Sequence, residues 1–225
     1  MTRSRGTGTW LWVAAAVSLG LSLSPWGRVV LYPFKLFTTW IHECGHATMT
    51  VIFGGSVTSI AIEPNTSGVT RSLMPSGRIG QGLVASSGYL GASLVGCLLL
   101  AAARVQKWTR PLLFSLGAFM LLTLAVWIRN PFGMSVVLAW VAILLLLARW
   151  RTGQFPQFVL SLLAIQVALN AVYDIRVLFL LHDGPSDAET MARLFMLPAW
   201  LWAGVWMVIS GLLLIWTLGI TRGRR

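Results

Sequence analysis

VVLYPFKLFTTWIHECGHATMTVIF, residues 29–53, carries only two formal charges, Lys35 and Glu43. The run exceeds the ~20 apolar residues that cross a bilayer core as a helix. It is also too continuous for a strand of a membrane barrel, where polarity alternates residue by residue. Gly54-Gly55 follows, and glycine commonly ends helices. The expectation is a helix embedded in lipid, with two histidines and a glutamate on it.

Similar runs flank it on both sides. A basic leader, residues 1–9, holds Arg3 and Arg5 and precedes a first span from Trp10 to Leu23. No small-x-small cleavage site follows at Ser24-Pro25-Trp26, so this segment reads as an uncleaved signal anchor. After the second span, residues 56–81 are polar. Val57–Ile62 is rich in β-branched residues, Pro64–Gly68 is turn chemistry, and Val69–Leu73 is a return strand. A third span covers Leu83–Ala103, with Gly88, Ala92 and Gly96 on one stripe where another helix can approach closely. Spans four and five cover Leu112–Ile128 and Gly133–Ala148, with Pro111 and Pro131 at or just before their first turns. Span six runs from Pro156 to Leu181. Residues 182–195 form an acidic loop, and span seven runs from Leu197 to Ile220. The expected fold is an all-α polytopic membrane protein of about seven transmembrane helices, with a small β-hairpin after the second. Residues 1–225 read as a single membrane-embedded domain.

Composition agrees. The 225 residues are 56% hydrophobic and 10% charged, with twelve Trp. A soluble domain of this size has no interior large enough for that much apolar surface. In hydrocarbon each backbone polar group must be satisfied internally, which long apolar runs achieve as helices. The net charge of +11 sits mostly in short connections between spans. That is the pattern of anchoring to anionic headgroups, not of nucleic-acid binding. With seven spans, the connections holding Arg104, Lys107, Arg110, Arg149 and Arg151 share a side with the basic tail Arg222–Arg225. The positive-inside rule makes that side cytoplasmic and leaves the N-terminus and hairpin outside. Cys44 and Cys97 both lie in apolar helices and read as buried thiols.

An ionisable residue at mid-helix in lipid costs about 2.5–3.5 kcal/mol on insertion scales. The second span nevertheless concentrates His42, Glu43 and His46 within five positions. His42 and His46 are one helical turn apart, so both imidazoles leave the same face and can reach one Zn²⁺. Glu43, beside a ligand, is placed to take a proton from water activated there. Zinc needs a third protein ligand and keeps one position open. Asp174, in span six, is the leading candidate, with an ion pair to Arg176 as its bland alternative. His182 and Asp183, at the end of the span, are alternatives, while Asp187 and Glu189 read as solvated loop residues. Asn170, one turn before Asp174, is placed to bind a substrate carbonyl or to orient Asp174.

His42-Glu43-Cys44-Gly45-His46 in a membrane span, followed by Gly54-Gly55 and a β-rich segment, resembles the site-2 protease family of intramembrane zinc metallopeptidases. The resemblance covers Trp40–Leu73 well and Asn170–Asp174 in part. It implies a zinc metalloendopeptidase with Glu43 as general base, His42 and His46 as ligands, and an aspartate on a later helix as the third. Asp174 matches that role, although Ile175 stands where the family commonly has glycine. The implied substrate is a membrane protein or peptide, and the implied setting is a bacterial plasma membrane, in a compact form without appended modules. A hairpin edge that pairs with an extended substrate segment would suit this chemistry. Two rival readings keep the motif, namely a membrane zinc-handling transporter and an inactive scaffold.

Overall fold

The computed structural model describes residues 7–150, 154–179 and 186–222. The order is α1 (Thr7–Leu23), α2 (Gly27–Ile52), β1 (Ser56–Ile62), β2 (Gly68–Leu73), α3 (Arg78–Ala103), α4 (Gln106–Val126) and α5 (Pro131–Arg149). Then come α6 (Phe155–Leu178), α7 (Asp187–Phe195) and α8 (Ala199–Arg222). Five of these, α3, α4, α5, α6 and α8, are long and apolar enough to cross a membrane, and α1 is a shorter apolar helix.

Side-chain contacts give each helix its direction. Trp10 donates its indole N–H to Gln154 and packs edge-on against Phe158, while Gln166 Nε2 donates to Ser18 Oγ at 2.7 Å. Helix α1 therefore runs parallel to α6. Gln157 Nε2 donates to the Ala103 carbonyl at 3.2 Å, joining the start of α6 to the end of α3. Arg110 donates to the Trp150 carbonyl at 2.7 Å, joining the start of α4 to the end of α5. Stacking of Tyr89 on Trp206 and the Ser93–Ser210 hydrogen bond, at 2.7 Å, set α8 parallel to α3. One end of the bundle thus gathers the starts of α1, α4 and α6 with the ends of α3, α5 and α8. It is called the basic end below, and the other the hairpin end.

Helix α1 begins at the basic end, where a count of seven crossings places it on the opposite side. The reason is α2. This helix starts directly after α1, with the Gly27 N–H on the Ser24 carbonyl at 3.0 Å, and ends where Phe53 approaches Gly80 near the start of α3. Its start therefore lies where α1 ends, and its last turn lies at the hairpin end. Lys35, His42, Glu43 and His46 make it too polar to rank with the five crossing helices. Its other face is apolar and locked in place. Phe37 and Trp40 are fully buried, with Phe37 5.1 Å from the Trp140 ring, and the Trp40 indole donates to Thr123 at 3.0 Å.

The hairpin forms as the sequence predicts, with a bulge between Val57 and Ser59. Asn65 Oδ1 accepts from the Ser67 N–H at 3.0 Å, and Thr66 takes a left-handed φ of 70° to close the turn. Strand β1 is clamped on its second side. Its Ile60 exchanges backbone hydrogen bonds with Trp127 and Arg129, and Asn130 bonds both backbone groups of Ile62. On the α2 side, Tyr32 and Thr39 donate to the Pro64 and Thr66 carbonyls at 2.6 and 2.7 Å.

The expected acidic loop at 182–195 is corrected in its second half, which is helix α7. Ser186 caps it by accepting from the Glu189 N–H at 3.2 Å. Asp187 and Glu189 suit the positive pole of the first turn, and Arg193 the last turn. Ala188 and Met191 are buried against α3, where the Phe195 ring fits over Gly82.

Candidate metal centre

His42 and His46 leave the same face of α2, as their spacing requires, and meet α3 at a close crossing. A side chain at Gly45 would run into the Ser87 carbonyl at 2.4 Å. Across the gap, a side chain at Gly88 would sit 2.4 Å from His42 Nε2 and 2.5 Å from His46 Nε2. The two glycines let the helices approach and leave a hollow beside the imidazoles. His46 contacts Val84 and His42 faces Gly88, six and ten residues into α3, or roughly 9–15 Å along its axis.

The third member of the cluster comes from α7. Asp187 Oδ2 lies 3.1 Å from His42 Nε2 and 3.2 Å from His46 Nε2, and the two Nε2 atoms are 3.0 Å apart. Among the described residues, these three are the group of His, Cys, Asp and Glu able to share an ion. The Asp187 side chain is 25% exposed. Its reading as a solvated loop residue is therefore corrected, because capped α7 turns the carboxylate inward. Burial pushes this carboxyl up, but the His46 and His42 imidazoles override that and hold it well below the usual carboxylate range.

Do these residues fit a zinc ion? Tetrahedral zinc with bonds of about 2.0–2.1 Å separates its ligand atoms by about 3.3 Å, close to the triangle seen here. The donor set of two nitrogens and one carboxylate oxygen is a zinc set. His46 Nδ1 donates to the Val84 carbonyl at 2.7 Å, so Nε2 keeps its lone pair directed at the cluster. The residues fit.

Asp174 and Asn170 lie differently from the sequence expectation. Asp174 lines the same cavity, within electrostatic reach of Lys35 and His42, but it is not in the three-ligand group. Asn170 does not line the cavity. It donates to Thr38 at 3.3 Å and ties α6 to α2. His182 and Asp183 lie outside the described residues. The signal for Asp187 was present in Ser186-Asp187-Ala188-Glu189, a Ser-x-x-Glu capping box.

Glu43 is 4% exposed and faces the hairpin. Thr70 Oγ1, on β2, lies 2.7 Å from Glu43 Oε2 and 3.1 Å from the Glu43 carbonyl, and donates to them. Gly68, also on β2, lies so close that a side chain there would meet Oε1 at 2.6 Å. The hairpin thus holds the carboxylate against the wall of a cavity of about 710 Å³, which opens along β2 from Gly68 to Ser72. Tyr89, T-shaped against His42 at 4.6 Å, also lines it.

A family model described as Peptidase M50B-like matches residues 10–217. No curated protein and no solved structure matches the chain.

Proposed function

The chain belongs to the Peptidase M50B-like family, a site-2 protease family of membrane metallopeptidases, and from that premise we propose that it is a zinc endopeptidase cutting membrane-embedded substrates. The observation that carries the proposal is the convergence of His42, His46 and Asp187 beside a buried Glu43. In this reading His42, His46 and Asp187 hold the ion, and Asp174 belongs to the cavity wall. When bound, zinc supplies a Lewis acid that polarises a carbonyl and makes water more acidic.

The remaining chemistry falls to the chain's own side chains. Thr70 engages Glu43 Oε2, which leaves Oε1 to take a proton from the attacking water and pass it to the departing amine. The Val84 carbonyl fixes the His46 ring, so the ligand does not rotate as charge develops. A transmembrane helix exposes no free backbone groups, so a substrate must unwind before it can be cut. Strand β2 offers it a partner. The second edge of β1 is bridged to Ile128, whereas among the described residues that of β2 has no strand beside it. An extended segment pairing with β2 would run past Glu43.

The test uses purified protein reconstituted with a panel of single-span reporter proteins. Wild type should cleave at least one of them, and Glu43→Gln should abolish cleavage while keeping its zinc. Cleavage surviving in Glu43→Gln would sink the assignment of the base. A metal-free wild type would sink the whole reading.

A further inference from the structure

At the basic end, away from the metal centre, lies a second cavity of about 420 Å³. It is lined by Gln106, Lys107, Thr109 and Arg110 from the start of α4, Trp150 at the end of α5, and Pro156 and Gln157 from the start of α6. Four observations give it one chemical character. First, two helices begin there, so the positive poles of both dipoles face the cavity, and no side chain caps α4. Second, its charges are Lys107 and Arg110. Neither forms an ion pair among the described residues, and the sequence from 64 to 173 contains no Asp or Glu. Third, Thr109 is only 4% exposed and its Oγ1 has no hydrogen-bond partner among the described residues, although the residue lines the cavity. Fourth, Trp108, Trp150 and Phe155 are each about half exposed around it, as aromatic side chains are at the level of lipid headgroups.

We propose that this cavity binds the phosphate of an anionic phospholipid, with its acyl chains lying against Trp108, Trp150 and Phe155. Lys107 and Arg110 supply charge, Thr109 supplies a hydroxyl donor, and the α4 N-terminus supplies backbone N–H groups. Arg110 already bridges α4 to the Trp150 carbonyl, so a phosphate there would join three helix ends through one set of contacts. A dissolved phosphate has the same headgroup chemistry, but the aromatic rim favours a ligand with chains. This inference does not depend on the peptidase reading.

The experiment is titration of delipidated protein in detergent with dioleoyl-phosphatidylglycerol, dioleoyl-phosphatidylcholine or inorganic phosphate, followed by native mass spectrometry. Wild type should bind one phosphatidylglycerol at least about ten-fold more tightly than phosphatidylcholine. Each basic residue near a membrane surface contributes about 1 kcal/mol, so Lys107→Gln should weaken binding about five-fold. The Lys107→Gln/Arg110→Gln double variant should weaken it about 25-fold, and Thr109→Val should weaken it as well. Arg71→Gln, at the hairpin end, should change nothing. Lys107 is exposed and lies over the Trp108 ring, so its variant keeps the test open if loss of Arg110 disturbs folding. Equal binding of the two lipids, or an equal loss in Arg71→Gln, overturns the proposal. Inorganic phosphate binding as tightly as phosphatidylglycerol overturns it in favour of a soluble anion.

Discussion

Replacing Asp187 by Asn keeps the size of the side chain and leaves the Ser186 cap and the first turn of α7 intact. It removes the negative oxygen that lies 3.1 and 3.2 Å from the two imidazole nitrogens. Substitutions that only orient a zinc ligand typically cost 10–100-fold in affinity. Removing one of three direct ligands should exceed that range, so zinc binding should fall by at least about 100-fold, or about 2.8 kcal/mol. Asp174→Asn, in the cavity lining but outside the cluster, should cost less than about ten-fold. The assay is zinc content by elemental analysis after equilibration against graded concentrations of a competing chelator, with both variants beside wild type. If Asp174→Asn empties the site while Asp187→Asn stays loaded, α7 does not supply the ligand and the assignment of the centre is wrong.

Thr70→Val removes a hydroxyl that donates to the Glu43 carboxylate. Hydrogen bonds to charged groups contribute about 1.5–3 kcal/mol, so turnover should drop by at least about ten-fold with zinc content unchanged. Gly88→Ala would put a methyl group about 2.4 Å from His42 Nε2, so zinc should be lost even in a folded protein, as read by metal analysis and thermal unfolding. Lowering the pH from 7 to 5 should release zinc, because protons compete with the metal for the ligand nitrogens. Asp187, held below the usual carboxylate range, stays ionised throughout that window. Its contribution to stability, complete above about pH 4, should erode only in stronger acid, so unfolding and metal loss should separate in a pH series.

Much of this was legible in the residues. Apolar length located every crossing helix, because lipid imposes one simple rule on each span. The one-turn spacing of His42 and His46, with Glu43 between them, located the centre. The path of α2 was not legible, since a 26-residue helix has the same local pattern whether it crosses the membrane or returns to the side it left. Only its contacts with α3 and α4 distinguish the two. Asp187 was hidden for a different reason. Gly184-Pro185 and the acidic residues suggested loop, and they outweighed a capping box that starts a nine-residue helix. The small-residue stripe on α3 served two purposes that its spacing does not separate. Gly96 lets α3 approach Ala168 on α6, whereas Gly88 makes room for the imidazoles.

The metal centre's cavity opens along β2, at the hairpin end of the bundle. Phe37, Trp40, Trp140 and Leu144 belong to the buried apolar core on the other face of α2. Ions and water that reach the centre along β2 would come from the hairpin side, whereas a zinc conduit would also need a way out on the other side. In sealed vesicles of uniform orientation, a membrane-impermeant chelator should strip the metal when placed on one side and leave it in place from the other.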